Sequence, residues 1–332
     1  LADYKGILVI GEKQNGKLDP VTLELLGGGR KLADQLGEKL SLVMVGNDLP
    51  ALSKEGIAHG ADVVYSVDRP VFKEYQADTF LKAIQQVVSR ASPDIILLGQ
   101  TALGRDLAPR LAFRMKVPLS TDCLELAIDG QSRRLLQTRP VYGGCARAIF
   151  MTEANPQIAT VRPKAMTALP KDDSRQGKVE EVAVDVDTAA LKAKILERVK
   201  QTQEGIKLED AEAIICGGRG LGGADGFELL KEVAKTIKGA VGASRPPCDS
   251  GWASTSMQIG LTGKIVSPNF YLAVGISGAS QHMAGCSGAR TIVAINKDAE
   301  ANIFKEARFG VVGDYKQVLP AFLQKVKELT AG

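Results

Sequence analysis

Residues Gly275 to His282, Gly-Ile-Ser-Gly-Ala-Ser-Gln-His, follow the apolar run Phe270-Tyr271-Leu272-Ala273-Val274. A short continuous apolar run reads as a buried parallel strand, and small residues after it read as a turn opening into a helix. The chemistry such a segment supports is anion binding. Glycines admit backbone close to a ligand, Ser277 and Ser280 supply hydroxyls, and a new helix presents unpaired N–H groups with the positive end of its dipole. His282, one of two histidines in the chain, closes the segment.

Four further apolar runs in the last third end in comparable tips. Ala213-Ile214-Ile215-Cys216 leads to Gly217-Gly218-Arg219-Gly220, and Ala240-Val241-Gly242-Ala243 leads to Ser244-Arg245-Pro246-Pro247. Thr291-Ile292-Val293-Ala294-Ile295 leads to Asn296, and Gly310-Val311-Val312-Gly313 leads to Asp314 and Tyr315. Gln258-Ile259-Gly260-Leu261-Thr262-Gly263-Lys264 forms a glycine-flanked loop between the second and third runs. In an open α/β sheet, ligands bind outside the carboxyl ends of the strands. Five tips on one edge, two bearing Arg, describe a seat for a large anionic cofactor. Arg pairs with phosphate oxygens in a bidentate way, and a carboxylate such as Asp314 accepts from ribose or ribityl hydroxyls.

The elements that must position these tips are legible from the alternation of apolar runs and helical periodicity. Gly6 to Gly11, Leu42 to Gly46, Asp62 to Tyr65 and Asp94 to Gly99 are strand-like, with helical patterns between them at Val21 to Leu36 and Ala77 to Arg90. That rhythm predicts a parallel sheet covered by helices. The loop Gly99 to Asp106 is either a ligand loop or a plain strand-to-helix turn. Residues 122–129, 133–139, 146–151 and 157–162 are strand-like with turn signals between them, which predicts an antiparallel extension. Arg139-Pro140 and Thr160-Val161-Arg162-Pro163 read as edges and corners. Leu169 to Gly177 is a polar excursion, Val179 to Val186 alternates as an exposed strand would, and Leu191 to Glu204 is helix-like. The resulting expectation is an α/β chain of two domains, 1–204 and 205–332, each a mainly parallel sheet flanked by helices.

Bulk properties exclude several classes. The 332 residues are 45% hydrophobic and 24% charged, as in an ordinary globular protein, and a net charge of +4 with scattered Lys and Arg implies no nucleic acid. No apolar stretch approaches the roughly 18 residues of a membrane span, so no membrane insertion is expected. The first ten residues carry Asp3 and lack the cationic start and apolar block of a leader, although no initiator Met is present. Cysteines at 123, 145, 216, 248 and 286 have no CxxC spacing, which favours reduced thiols over a disulfide frame or a metal site. No nucleophile elbow, paired acids or second nearby histidine accompanies the tips. A cradle without acid–base machinery positions and tunes a redox group.

Gly218-Arg219-Gly220-Leu221, Val241 to Arg245, Gly260 to Val266, Ala273 to His282 and Val293 to Asp298 occur in this order. Together they resemble the alpha subunit of the electron transfer flavoproteins, and Arg139-Pro140, Tyr142-Gly143-Gly144 and Thr160 to Pro163 resemble that family's N-terminal domain. The resemblance implies a Rossmann-like FAD-binding domain at the C-terminus and a heterodimer with a beta subunit that shelters one side of the cofactor. It implies Arg219 at the phosphates, Ser244 at the cofactor backbone and Arg245 against the isoalloxazine, where a fixed cation favours the reduced anionic flavin. Thr262, in the loop Gln258 to Gly263, is implied near the ring's N5 edge. Ser277, Gly278, Ala279, Ser280, Gln281 and His282 are implied around pyrophosphate and ring, with His282 at the C2 carbonyl. Asn296, Asp314 and Tyr315 are implied at the adenosine end. Two departures stand out: Leu261 where the family commonly has Gln, and Pro246-Pro247-Cys248 where smaller residues are common.

The activity implied is electron carriage from acyl-CoA dehydrogenases or a similar flavin donor to a quinone oxidoreductase or another acceptor. The setting implied is the cytoplasm in a bacterium or the mitochondrial matrix in a eukaryote. Three alternatives stay open at this point: an electron-bifurcating complex that oxidises NADH and reduces ferredoxin, a non-redox regulator binding an adenine nucleotide on the first sheet, and an NAD-dependent enzyme. The last is disfavoured, because the acidic residue about twenty positions after a GxGxxG turn is missing.

Overall fold

The computed structural model describes residues 4–144, 146–186, 195, 197 and 206–330. Two compact units arise, one from residues 1–140 with 147–196, the other from 141–146 with 197–332. The helix-like reading of residues 191–204, apart from residues 195 and 197, and the junction near 205 lie outside the described residues.

In the first unit the strands β1 (Ile7–Ile10), the short pair β2 (Lys13–Gln14) and β3 (Lys17–Leu18), β4 (Leu40–Gly46), β5 (Val63–Asp68), β6 (Ile95–Gly99) and β7 (Leu119–Cys123) come first. They are followed by β8 (Glu125–Ile128), β9 (Leu135–Val141), β10 (Ala146–Phe150), β11 (Gln157–Val161) and β12 (Lys178–Glu181). Helices α1 (Pro20–Leu36), α2 (Pro50–Ala58), α3 (Ala77–Ala91) and α4 (Ala102–Met115) lie between them. The sheet runs β12-β5-β4-β1-β6-β11-β7, and every pairing in it is parallel. Alternate residues feed opposite faces: Ile7 and Val9 join one buried cluster, Leu8 and Ile10 the other. That two-sided burial is why these strands read as unbroken apolar runs.

The expected antiparallel extension is smaller than its sequence signals. Only β8, β9 and β10 form the separate three-stranded sheet, whereas residues 119–123 and 157–161 join the parallel one. Thr160 and Val161 are therefore not an edge: β11 lies between β6 and β7 with all five residues buried, and Pro163 falls just past its end. Arg139-Pro140 likewise belongs to β9, the middle strand of its sheet. Turn residues flanked these segments, and short strands with flanking turns look alike whichever sheet they enter. The loop after β6 closes on itself. Thr101 accepts from the Gly104 N–H at the start of α4 and donates to Glu12 Oε1 at 2.7 Å, and Gln100 accepts from the Thr160 hydroxyl.

In the second unit β13 (Ala213–Gly217), β14 (Ala240–Ala243), β15 (Phe270–Val274), β16 (Thr291–Asn296) and β17 (Phe309–Val312) form a parallel sheet ordered β14-β13-β15-β16-β17. Helices α5 (Gly226–Thr236), α6 (Arg245–Asp249), α7 (Ser280–Cys286), α8 (Ile303–Glu306) and α9 (Tyr315–Thr330) complete it. Ile214, Cys216, Tyr271, Ala273 and Ala294 pack on one face, while Ile215, Leu272, Val274 and Ile295 pack on the other against Leu230 of α5 and Leu319 of α9. Each such fully buried Leu contributes about 1.5–3 kcal/mol relative to exposure.

Two consequences are measurable. Burial pushes the Glu12 carboxyl up to about 7, although the Thr101 hydroxyl pulls the other way. The folded chain then holds a proton between pH 4.5 and 7 that the unfolded chain has released, so the stability this group contributes is full below 4.5 and lost as pH rises through 7. Glu12→Gln, which keeps an acceptor for Thr101, is expected to raise unfolding stability by about 1–3 kcal/mol at pH 8 and to converge with the wild type at pH 4.5. A chemical denaturation series over pH checks this. Separately, Gly278 has φ 82° and a Cβ there would sit 2.2 Å from the Ile303 nitrogen. Gly278→Ala is expected to lower stability by about 2–4 kcal/mol, seen as a drop in Tm.

Candidate functional site

The strand register of the second sheet decides where the tips fall. Gly217 is opposite both Ala243 and Val274, Val274 is opposite Ile295, and Asn296 is opposite Val312. The residues that follow, Gly218-Arg219, Ser244-Arg245, Gly275 to Ser277 and Asn296, therefore leave the sheet side by side. β13 is also where the strand order reverses, with β14 on one flank and β15 on the other. This is the switch point at which α/β sheets open a crevice.

The loops are tied to one another by backbone bonds. The Gly218 N–H donates to Val274 O, Gly220 N–H to Gly275 O, Ser244 N–H to Gly217 O and Ile303 N–H to Ser277 O. The glycine-flanked loop docks the same way, through Ile259 N–H to Ala243 O and Leu261 N–H to Gln281 O at 2.7 Å. Gly218 is obligatory for this contact, since a Cβ would lie 2.2 Å from Gly275 O. A cavity of about 650 Å³ opens between the loops, in the size range of small-molecule sites.

Thirteen of the eighteen residues expected from the sequence line it: Arg219, Ser244, Arg245, the run Gln258 to Thr262, Ser277, Ala279, Gln281, His282 and Asn296. Five do not. Gly263 turns the loop, its N–H donating to Gly260 O, and buried Gly278 packs against Ile303. Ser280 points outward at the start of α7. Asp314 is occupied at the start of α9, where it accepts from the Lys316 N–H and pairs with Lys297 Nζ at 3.0 Å. Tyr315 is buried on the α5 side of the sheet and donates to Leu221 O. The sequence placed both beyond the end of a fifth strand, and the structure puts them at the start of the helix that follows it. Gly220, Pro246, Gly275, Ile276, Asp298 and Ala301 line the cavity without having been singled out as site residues. All but Ala301 lie in the tips and motifs that the sequence marks, and Ala301 carries no such signal.

The electrostatics of the lining are uneven. Arg219 and Arg245 are its two cations, both exposed. Arg245 Nε lies 3.1 Å from Asp249 Oδ2, one turn along α6, so its charge is partly balanced. Ser244 is buried, Gln258 Nε2 donates to Thr262 Oγ1 at 3.0 Å, and Asn296 is spent internally, its amide donating to Ile276 O and its carbonyl accepting from Asp298 N–H. The exposed Leu261 side chain lines the cavity alongside Gln258 and Gln281. Cys248 is buried, with its thiol pushed up chiefly by that burial, which leaves it a poor nucleophile.

His282 is not a free donor. Its Nδ1 lies 3.1 Å from Ile259 O and its Nε2 lies 2.9 Å from the Tyr271 hydroxyl. Burial pushes its pKa down to about 4, against the pull of the Ile259 carbonyl, so the ring is neutral at pH 7.

The donor set fits an anionic dinucleotide carrying a flat ring: two guanidinium groups, small-residue loops that bring backbone close, amide and hydroxyl side chains, and an apolar wall of Ile259, Leu261, Ile276 and Ala301. No cluster of His, Cys, Asp and Glu suited to a metal occurs among the described residues.

Comparison with known proteins converges with this geometry. The electron transfer flavoprotein domain matches residues 7–187, and the electron transfer flavoprotein FAD-binding domain matches residues 207–287. An electron transfer flavoprotein subunit alpha from Thermoanaerobacterium thermosaccharolyticum is 45% identical over 328 residues, covering 98% of this chain and 99% of that protein. Its namesake from Megasphaera elsdenii is 42% identical over 331 residues, covering 99% and 98%. Protein FixB from Clostridium saccharobutylicum is 41% identical over 330 residues, with the same coverage. With both domains matched in order and relatives aligned from end to end, the chain belongs to the electron transfer flavoprotein alpha-subunit family, and its cofactor is FAD.

Proposed function

We propose that the cavity at the carboxyl edge of the second sheet is the FAD seat, and that the chain carries electrons between a flavin-containing dehydrogenase and a separate acceptor. The observation that supports this most is the convergence of Arg219, Ser244, Arg245 and Ser277 on one crevice at the switch point of a sheet within the FAD-binding domain. When bound, FAD supplies reversible electron uptake and release. The chain's own residues bind and tune it.

In this reading Arg219 and the backbone of Gly220 and Ser277 hold the phosphates, since guanidinium and close backbone N–H groups match phosphate oxygens. Ser244 and Gln281 orient the polar linker. Ile259, Leu261 and Ile276 exclude water from the ring. Arg245 stands at the ring as a fixed cation, and Asp249 limits how much of that charge is felt. The Leu261 position offers the ring an apolar neighbour where an amide would donate, and this lowers the stabilisation of negative charge there. Asp314, Tyr315 and the internally bonded Asn296 act on the adenosine end by shaping loops.

The partners proposed are a beta subunit, an acyl-CoA dehydrogenase or similar donor, and a quinone oxidoreductase or other acceptor, in a cytoplasmic setting. No helix among the described residues is long and apolar enough to cross a membrane.

Two experiments test the reading. Co-purification with the partner chain, followed by counting FAD from the visible spectrum, is expected to yield one flavin reduced by an acyl-CoA dehydrogenase and inert to NADH. Two flavins with NADH turnover would establish the bifurcating activity instead, and a colourless complex that refuses FAD would sink both. Arg245→Ala is expected to lower the flavin midpoint potential, shifting the equilibrium at least roughly tenfold toward the oxidised form, since a fixed cation at the ring, partly offset by Asp249, favours the reduced flavin. An unchanged redox titration would remove Arg245 from this role.

A further inference from the structure

The loop Gln258 to Lys264 folds back on itself. Its ends are clamped by the Lys264 N–H, which donates to Gln258 O at 2.8 Å. Within it the Gly263 N–H donates to Gly260 O at 3.0 Å, so Gly260 to Gly263 is a β-turn with Leu261 and Thr262 at its centre. The base of the loop is fixed to the sheet through Ile259 N–H to Ala243 O, and the tip is fixed to α7 through Leu261 N–H to Gln281 O. Gln258 and Thr262 both line the cavity.

The Gln258 side chain spans the loop to Thr262, with Nε2 3.0 Å from Oγ1. Gly263 leaves room for that crossing, since a Cβ there would lie 2.4 Å from Gln258 O and 3.0 Å from Gln258 Cγ. A threonine hydroxyl holds one hydrogen and two lone pairs. The amide nitrogen of Gln258 only donates, so it occupies a lone pair and leaves the hydrogen to be placed. Among the described residues no group of the chain accepts that hydrogen, and Thr262 is exposed where it lines the cavity.

We infer that Gln258 is a positioning residue for the flavin site: its amide donates to Thr262 Oγ1 and so commits the Thr262 hydrogen to the cavity, where the hydroxyl meets the cofactor as a donor and not as an acceptor. The inference rests on the reading that this cavity holds the flavin. Reduction adds negative charge to the flavin, and a hydrogen bond to a charged acceptor is roughly twice as strong as one to a neutral acceptor. A donor held in place at the cofactor therefore favours the reduced form. Accepting from Gln258 also polarises the hydroxyl, which strengthens the bond it makes on its other side. Without the amide, Thr262 turns about its own side-chain bond, and the preference for donating is lost.

The test uses the full chain purified with its partner chain and FAD, and it reads the flavin midpoint potential by spectroelectrochemical titration. Gln258→Leu removes the donor at similar size, and Gln258→Met serves where that variant does not fold. Gln258→Glu installs a group that accepts, which draws the Thr262 hydrogen away from the cavity. At a fixed applied potential the ratio of reduced to oxidised flavin is expected to fall about threefold in Gln258→Leu and about tenfold in Gln258→Glu. Both are repeated with Thr262→Val, which keeps the shape of the side chain and removes the hydroxyl. In that background Gln258→Leu is expected to add nothing, and Gln258→Glu to keep only the effect of its added charge. Thr262→Ser, which retains a hydroxyl, is expected to remain sensitive to Gln258→Leu. Equal shifts with and without the Thr262 hydroxyl overturn the inference. So does a Gln258→Leu protein that titrates as the wild type while Thr262→Val does not, and that result leaves the flavin in this cavity. Silence of Gln258→Leu, Thr262→Val and Arg245→Ala together overturns the reading of the cavity as well.

Discussion

The site depends on the register of five parallel strands. Because Gly217, Ala243, Val274 and Ile295 align across the sheet, the turns after them emerge in one row, and small residues let those turns close bonds with each other. A strand displaced by one residue would flip its apolar set between the two core faces, so both clusters enforce the register. Preorganisation here is a by-product of core packing. The loops carry few side chains large enough to hold themselves, and they take their shape from the strands beneath.

Within that frame the polar groups divide into those spent on the protein and those offered to the cavity. Asn296, Asp314, Tyr315 and both nitrogens of His282 satisfy the chain's own backbone or side chains. Arg219, Arg245, Ser277 and Gln281 are exposed along its wall. A buried polar group must find a partner at once, and in a closed loop cluster the nearest partner is another loop. Cations on the rim face no such demand. This is the reason the positive charge of the site is concentrated in two arginines, one of them moderated by Asp249.

The first unit shows the same architecture put to a different use. Its carboxyl edge at β1 and β6 is closed by Glu12, Thr101, Gln100 and Thr160 bonding among themselves, so the loop from Gly99 to Asp106 is a strand-to-helix turn in which a Cβ at Gly104 would meet Gly99 O at 1.8 Å. An equivalent switch point thus carries a polar latch in one sheet and a cavity in the other. The antiparallel extension around β8 to β10 carries exposed Ile149 and Phe150, and Arg139 lies over the Phe150 ring.

Much of this protein was legible before any fold was known. Continuous apolar runs identified the parallel strands because burial on both faces removes the polar half of the pattern, and the order of glycine and arginine motifs in the last third identified the cofactor class. Sequence also marked the loops that line the cavity, since a tip after a parallel strand has little choice of location. What it could not decide was which polar side chains remain available once the loops fold together. Asp314 caps the start of α9 by accepting from the Lys316 N–H, His282 bonds Tyr271 eleven residues upstream on the preceding strand, and Thr160 reads as an edge until β7 closes over it. Hydrogen-bond partners are assigned by distance in space, and the distances that matter here join segments far apart along the chain.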